Sequence, residues 1–281
     1  MYLSKNNIIS GKHQKPILLD VGYKSTHQQK PVVLFAHGFK GFKDWGHFNK
    51  VMQHFMDNDF VFVKFNFSHN GGTVEQPIDF PDLEAFGNNN YTKELDDLET
   101  VLDWITQSNF VPKEEINCNE IYLIGHSRGG GISIIKAAED TRIKKLVTWA
   151  AVADLINRIP PQQFEVWKQN GVIYVENART NQQMPMYYQF AEDTLKNMER
   201  LSIERSAKTL GIPHLIVHGT NDEAVGVLEA ENLAKWNKNA ELFIVEDANH
   251  TFGASHPFLQ EKFPEHFQLV IDKTIDFFRK F

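Results

Sequence analysis

Short apolar runs alternate along the chain with longer segments of helical period. The runs are rich in β-branched and aromatic residues, as in strands that are covered on both faces of a sheet. They are Ile17–Val21, Val32–Ala36, Val61–Phe67, Ile121–Ile124, Lys145–Ala150, His214–His218 and Glu241–Val245. Two of the intervening segments carry apolar residues on one helical face: Tyr91, Leu95, Leu98, Leu102 and Ile105 in the first, and Phe267, Ile271, Ile275 and Phe278 in the second. The alternation predicts an α/β protein whose mostly parallel, twisted sheet has helices on both faces.

One interval, residues 154–211, interrupts this alternation. It contains two extended pieces, Val172–Glu176 and Met184–Phe190, around a polar connection, a pattern that favours a hairpin. A segment of this length is not expected to be a bare loop in a compact domain. We therefore interpret residues 154–211 as a lid or cap inserted into a single domain that spans residues 1–281.

Composition and charge narrow the classes of protein that fit. The chain of 281 residues has a net charge of −7 and no long basic run, which argues against a nucleic-acid partner. No apolar stretch approaches the roughly 18 residues that a membrane helix needs. The first residues lack the apolar core of a signal peptide, and the single cysteine, Cys118, leaves no internal disulfide. We therefore expect a cytoplasmic protein without a membrane partner, and the sequence leaves a homodimer open.

The letters GHSRGG follow the apolar run Ile121–Ile124 and precede a segment of helical period. A Gly-x-Ser-x-Gly pattern between a strand and a helix is typical of the nucleophile elbow, in which small neighbours leave room for a serine on a tight turn. The alternative is an ordinary turn. We predict that Ser127 is a nucleophile.

A serine hydroxyl needs a base and a group that orients that base. Asp222 and His250 each follow a predicted strand, and the carboxyl ends of parallel strands meet at one edge of the sheet. The order Ser, acid, His then assigns Ser127 as nucleophile, Asp222 as orienting acid and His250 as base and later acid. Rival residues are two other acids and one other histidine: Asp154, Asp247 and His256.

The same chemistry requires donors for the oxyanion of a tetrahedral intermediate. One candidate is the backbone N–H of Arg128, the residue after the predicted nucleophile. The other is the N–H of Phe39, because His37 and Gly38 turn the chain directly after the run Val32–Ala36. The alternative for this turn is a plain connection between a strand and a helix.

Five motifs, in order HGFKGFKDW, FNFSHNGG, GHSRGG, HGTNDEAV and ANHTFG, resemble those of the α/β-hydrolase fold family. The resemblance runs from about Ile17 to the C-terminus. It is strongest to the esterase branch that includes dienelactone-hydrolase-like proteins and bacterial feruloyl or cinnamoyl esterases. It implies a sheet of about eight strands. True dienelactone hydrolases carry cysteine at the elbow, where this chain has Ser127, so that specific activity is not implied.

The resulting hypothesis is a serine hydrolase that cleaves a small carboxylic ester through an acyl-enzyme. A peptidase, an acyl thioesterase and a non-catalytic ligand-binding relative stay open as alternatives. Arg179, in the polar connection of the hairpin, is a candidate contact for an anionic group, and Trp149 for an apolar acyl group. The histidines show no metal-ligand pattern, and GHSRGGG is not a dinucleotide fingerprint, so we expect neither a metal nor a cofactor.

Overall fold

Ten strands and nine helices occupy the part of the chain that the computed structural model describes, residues 1–158 and 161–280. The strands are β1 Tyr2–Ser10, β2 Pro16–Tyr23, β3 Lys30–Ala36, β4 Val61–Asn66, β5 Ile116–His126, β6 Ile143–Trp149, β7 Val172–Asn177, β8 Gln182–Tyr187, β9 His214–Gly219 and β10 Ala240–Val245. The helices are α1 Phe48–Asp57, α2 Leu83–Gly87, α3 Tyr91–Gln107, α4 Arg128–Glu139, α5 Pro161–Asn170, α6 Gln189–Lys196, α7 Ile203–Thr209, α8 Val227–Trp236 and α9 Glu265–Arg279.

The main sheet has eight strands in the order β1-β2-β4-β3-β5-β6-β9-β10. The pairs β1/β2 and β2/β4 are antiparallel, and the strands from β4 to β10 in this order run parallel. Every main-sheet strand predicted from the sequence lies here, which confirms the mostly parallel sheet. The sequence pattern did not indicate β1, because this edge strand is mostly exposed and its register shifts between Ser4 and Asn7.

Alternate residues of the central strands feed two apolar cores. Val32 and Leu34 of β3 belong to one core, and Val33 and Phe35 belong to the other. Helices α3 and α4 cover the first face and helices α1 and α9 cover the second. Because β3, β4 and β9 are buried on both faces, their sequences are mostly apolar rather than alternating.

The two helical faces predicted from the sequence are those that α3 and α9 bury. The α3 helix begins where Asn90 caps it, since the Asn90 side chain accepts the N–H of Lys93 at 2.9 Å. In the segment that the structure describes, no helix is long and apolar enough to cross a membrane.

The interval 154–211 contains α5, β7, β8, α6 and α7. The predicted hairpin is confirmed: β7 and β8 pair antiparallel, with Val172 opposite Tyr187. Its second strand was predicted too long, because the chain turns into α6 at Gln189. Residues 159 and 160 of the predicted insertion, and residue 281 of the predicted domain, lie outside the described residues.

Candidate active site

Ser127 lies between the end of β5 and the start of α4 with φ 57° and ψ −122°. A positive φ is unfavourable for a residue with a side chain, so the surrounding structure must hold it in place. The Ser127 N–H donates to the Trp149 carbonyl at 2.9 Å, and the Ser127 carbonyl accepts the N–H of Gly130 at 3.0 Å. This is the strained strand-to-helix turn that the sequence pattern indicates.

The glycines on either side of Ser127 allow close backbone approach. A Cβ atom on Gly125 would lie 2.4 Å from the Gly129 carbonyl oxygen, and one on Gly129 would lie 2.4 Å from the His37 carbonyl oxygen. Real Cβ atoms do not come this near to backbone atoms. Glycine at position 125 therefore lets the end of β5 lie against the start of α4. Glycine at position 129 lets the start of α4 lie against the end of β3.

The structure brings three predicted side chains into one chain of contacts. His250 Nε2 lies 3.0 Å from Ser127 Oγ, and His250 Nδ1 lies 2.8 Å from Asp222 Oδ2. The strands that precede these residues, β5, β9 and β10, run parallel, so their carboxyl ends share one edge of the sheet.

The rival residues contact other groups. Asp154 accepts the N–H of Ile156 at 2.8 Å, and Asp247 accepts a hydrogen bond from the Asn221 side chain at 3.3 Å. His256 Nδ1 accepts the N–H of Gly46 at 2.8 Å. The geometry therefore favours Asp222 and His250 over each of them.

The Asp222 side chain is fully buried, and both of its carboxylate oxygens have hydrogen-bond partners. Its Oδ1 accepts the N–H groups of Ala224 at 2.9 Å and Val225 at 2.8 Å. The His218 ring donates to the Val225 carbonyl, and its Nε2 also lies 3.3 Å from Asp222 Oδ2. Burial alone would raise the pKa of Asp222, but hydrogen bonds from His218, His250 and Val225 outweigh it and hold that pKa well below its ordinary value. Asp222 is therefore a carboxylate at neutral pH.

A second histidine, His126, fixes the backbone at His250. Because a carbonyl oxygen can only accept, His126 Nε2–H donates to the His250 carbonyl, at 3.0 Å. Burial and the neighbouring His250 ring lower the pKa of His126 to about 3, so its ring is neutral at neutral pH. The sequence pattern assigned no role to His126 or His218. The position of His126 next to Ser127 was the one available signal.

Both candidate oxyanion donors belong to backbone that borders Ser127. Arg128 is the first residue of α4, so its N–H has no acceptor within the helix. A Cβ atom on Gly38 would lie 2.9 Å from Ser127 Cβ, so the loop that carries Phe39 passes directly along the serine.

His37 holds this loop. Its Nδ1–H donates to the Gly38 carbonyl at 2.9 Å, and its Nε2 accepts the N–H of Phe67 at 3.3 Å. Burial lowers the pKa of His37 to about 4, which keeps the ring in the neutral form that both bonds require.

Comparison with known proteins identifies the family of this chain. Residues 19–237 match the BD-FAE family. The chain belongs to the BD-FAE family. The matched span includes Ser127 and Asp222 and ends before His250. No curated protein sequence matches the chain significantly.

Solved structures similar to this BD-FAE chain are α/β hydrolases. Est1E from Butyrivibrio proteoclasticus, solved with ferulic acid bound, is 18% identical with a TM-score of 0.74, and the match covers 96% of this chain and 97% of Est1E. The esterase domain of a Rhodothermus marinus protein is 18% identical with a TM-score of 0.59, covering 90% and 91%. Mouse α/β hydrolase domain-containing protein 10 is 16% identical with a TM-score of 0.67, covering 98% of each chain. At these identities the likeness establishes the fold. Family and fold together support the expected class of enzyme, a carboxylic ester hydrolase.

A cavity of about 510 Å³ opens beside Ser127 and His250 in this BD-FAE chain. Much of its wall is apolar and comes from the interval 154–211. The apolar residues from that interval are Leu155, Ile173, Val175, Met186 and Phe190, and the polar ones are Arg158 and Gln163. The interval therefore shapes the space next to the serine.

Two predicted substrate contacts lie elsewhere. The Trp149 side chain is fully buried between the sheet and α9, where its Nε1–H donates to Thr274 Oγ1 at 3.1 Å. That prediction was wrong, because the last residue of β6 turns its ring into the core. Arg179 is also absent from the residues that line the cavity, since it pairs with Asp79 and lies 5.7 Å from the centre of the Phe42 ring.

Among the residues that the structure describes, no group of three or more His, Cys, Asp or Glu side chains is arranged to hold a metal ion.

Proposed function

We propose that this BD-FAE protein hydrolyses carboxylic esters through an acyl-enzyme formed on Ser127. The observation that carries the proposal is the contact chain from Ser127 Oγ through the His250 ring to Asp222, at the mouth of an apolar cavity. A hydroxyl becomes a competent nucleophile when a positioned base accepts its proton and a carboxylate orients that base.

In the acylation step, Ser127 Oγ attacks the ester carbonyl carbon while His250 Nε2 takes the hydroxyl proton. The N–H groups of Arg128 and Phe39 stabilise the resulting oxyanion. The bond to the alcohol oxygen then breaks, and the proton on His250 passes to that oxygen. The alcohol leaves and an ester of Ser127 remains.

Deacylation repeats the steps with water. His250 takes a proton from water, the hydroxide oxygen attacks the acyl carbon, and the bond to Ser127 Oγ breaks as that oxygen regains the proton. Asp222 stays charged throughout, since its bonds hold its pKa low, and it stabilises the His250 imidazolium that forms in each half-reaction.

The apolar wall of the cavity favours an ester with an apolar or aromatic acyl group. Family membership and the likeness to Est1E, solved with ferulic acid, support hydroxycinnamate esters as the first candidates. We propose that residues 154–211 act as a lid or cap that selects the acyl group, because they supply much of this wall.

The test is hydrolysis of aryl esters, from acetate to hydroxycinnamates, by the wild type and by Ser127→Ala. If the three residues act as a unit, Ser127→Ala lowers kcat on the order of 10⁴-fold or more. Matched anilides and thioesters in the same panel distinguish an esterase from a peptidase or a thioesterase. Turnover that survives Ser127→Ala, or a folded wild type that turns over no ester, would overturn the proposal.

A further inference from the structure

Three cationic side chains line the cavity beside Ser127: Lys40, Arg128 and Arg158. Within the described part of the chain, no Asp or Glu is among the residues that line it. In the described lining, every Lys, Arg, Asp or Glu side chain is therefore basic, although the whole chain carries a net charge of −7. An uneven charge distribution of this kind points to a ligand of the opposite sign.

The Arg128 side chain is held in place mainly by aromatic rings. Its guanidinium lies 3.8 Å from the centre of the Phe39 ring, 5.3 Å from that of Tyr91 and 5.6 Å from that of Phe190. Stacking on rings fixes a guanidinium plane while leaving its N–H groups free to donate at the edges. The side chain is only 11% exposed, so most of this charge is withdrawn from water.

Arg128 has few protein acceptors for those N–H groups. Its polar partner among the described residues is Glu94, with Nη1 3.5 Å from Oε1. Glu94 Oε1 also accepts from Asn89 at 2.7 Å, and Glu94 Oε2 is buried without a partner. A structural Arg–carboxylate pair usually uses both carboxylate oxygens at a shorter distance. The Arg128–Glu94 contact is a single long one, which leaves the guanidinium with donors to spare.

The other two cations are engaged differently. Arg158 Nη1 lies 3.0 Å from each carboxylate oxygen of Glu229, so its charge is matched. Lys40 Nζ donates to the Glu176 carbonyl at 2.9 Å, and within residues 1–158 and 161–280 no carboxylate is in contact with it. Weakly matched positive charge is therefore concentrated at Arg128 and Lys40, next to the candidate nucleophile.

We propose that the natural ester carries a free carboxylate and that the Arg128 guanidinium binds it, with Lys40 adding positive charge. This inference rests on the proposed esterase function and specifies its substrate class. A carboxylate would give Arg128 the paired acceptor that Glu94 does not supply, and the surrounding rings would exclude water from the contact. The carboxylate can sit on the acyl part or on the alcohol part of the ester, and the two are distinguished by experiment.

The experiment uses pairs of esters that differ only by a carboxylate in place of a carboxamide. For the acyl part, 4-nitrophenyl hydrogen adipate is compared with 4-nitrophenyl adipamate. For the alcohol part, 4-acetoxybenzoate is compared with 4-acetoxybenzamide. Taking the ratio of kcat/KM for each pair on one enzyme preparation cancels any difference in the fraction of active enzyme.

We expect the wild type to favour the anionic member of at least one pair by about tenfold or more. Arg128→Gln should abolish that preference, and Arg128→Lys should retain part of it. Arg205→Gln is the matched control, because Arg205 is an exposed arginine outside the cavity that pairs with Glu199. It should leave both ratios unchanged.

Equal rates on both members of both pairs would overturn the anionic substrate, and a preference that survives Arg128→Gln would overturn the binding of the carboxylate by Arg128. In either case Ser127-dependent turnover would leave the esterase proposal standing. Absence of turnover for every ester would overturn both proposals.

Discussion

The His126 ring donates a hydrogen bond to the backbone carbonyl of His250, so the residue before the candidate nucleophile holds the loop of the candidate base. The two rings also lie 4.9 Å apart, centre to centre. With the pKa of His126 lowered to about 3, this contact puts no second positive charge beside the His250 imidazolium. In the proposed mechanism, His126 therefore positions His250 and takes no direct part in the reaction.

We expect His126→Phe to lower kcat while leaving KM nearly unchanged, because it removes the bond that places His250 but no contact with substrate. One hydrogen bond is worth about 1 kcal/mol, which corresponds to roughly fivefold in rate. Steady-state kinetics on an aryl ester measures the split. His27→Phe, at an exposed histidine, should change neither constant. A rise in KM with unchanged kcat would show that His126 affects binding instead.

Much of the fold was predictable, because strands buried on both faces leave uninterrupted apolar runs in the sequence. The meeting of Ser127, Asp222 and His250 followed from the same logic, since parallel strands gather the residues after their carboxyl ends. Strand β1 was not predictable in this way, because an exposed edge strand leaves no apolar run.

The surroundings of the site were much less accessible from the sequence. His218 and the Arg128 side chain act through contacts that exist only once separate loops and helices have packed. Trp149 was misassigned because an aromatic residue at a strand end can turn either into the cavity or into the core, and the register of β6 decides which.

Because the first turn of α4 lies against the end of β3, Gly129→Ala should destabilise the fold and impair the site. The new Cβ would lie 2.4 Å from the His37 carbonyl oxygen and 2.5 Å from that of Ala36, both backbone atoms that cannot move aside cheaply. We expect a loss of about 1–3 kcal/mol in the free energy of unfolding, with a loss of most ester hydrolysis. Gly211→Ala is the control, since a Cβ there meets nothing within 4 Å. Urea denaturation and aryl-ester assays on both variants test this, and wild-type behaviour of Gly129→Ala would contradict the tight packing.

Asp97 predicts a pH dependence of stability. Burial raises the pKa of Asp97 from 3.8 to about 7, although the N–H of Ser68 donates to Oδ2 at 2.7 Å and opposes the shift. Because the folded state favours the protonated acid, the free energy of unfolding should fall as the pH rises from about 4 to about 7.

Asp97→Asn removes this titration and keeps the acceptor for Ser68. We expect the variant to exceed the wild type in free energy of unfolding at about pH 8, by on the order of 4 kcal/mol, and to approach it near pH 4. Asp276→Asn, at an exposed position of α9, should show no such pH-dependent difference from the wild type. Urea denaturation at both pH values measures the difference, and an offset that is the same at both would mean that Asp97 does not titrate in this range.

Substitutions where the β7–β8 hairpin lines the cavity should change which esters are accepted without changing the reactivity of Ser127. Val175 of β7 lines the cavity, whereas its neighbour Tyr174 is 61% exposed and lies outside it. Val175→Phe should narrow the acyl space and lower kcat/KM for a hydroxycinnamate ester by about tenfold or more relative to an acetate, since the larger side chain would occupy room that the bulky acyl group needs. Tyr174→Phe is the matched control. Labelling of Ser127 by a small fluorophosphonate should proceed at the wild-type rate in both variants. If Val175→Phe instead lost labelling as completely as Ser127→Ala, the hairpin would be supporting the catalytic residues themselves rather than selecting the acyl group.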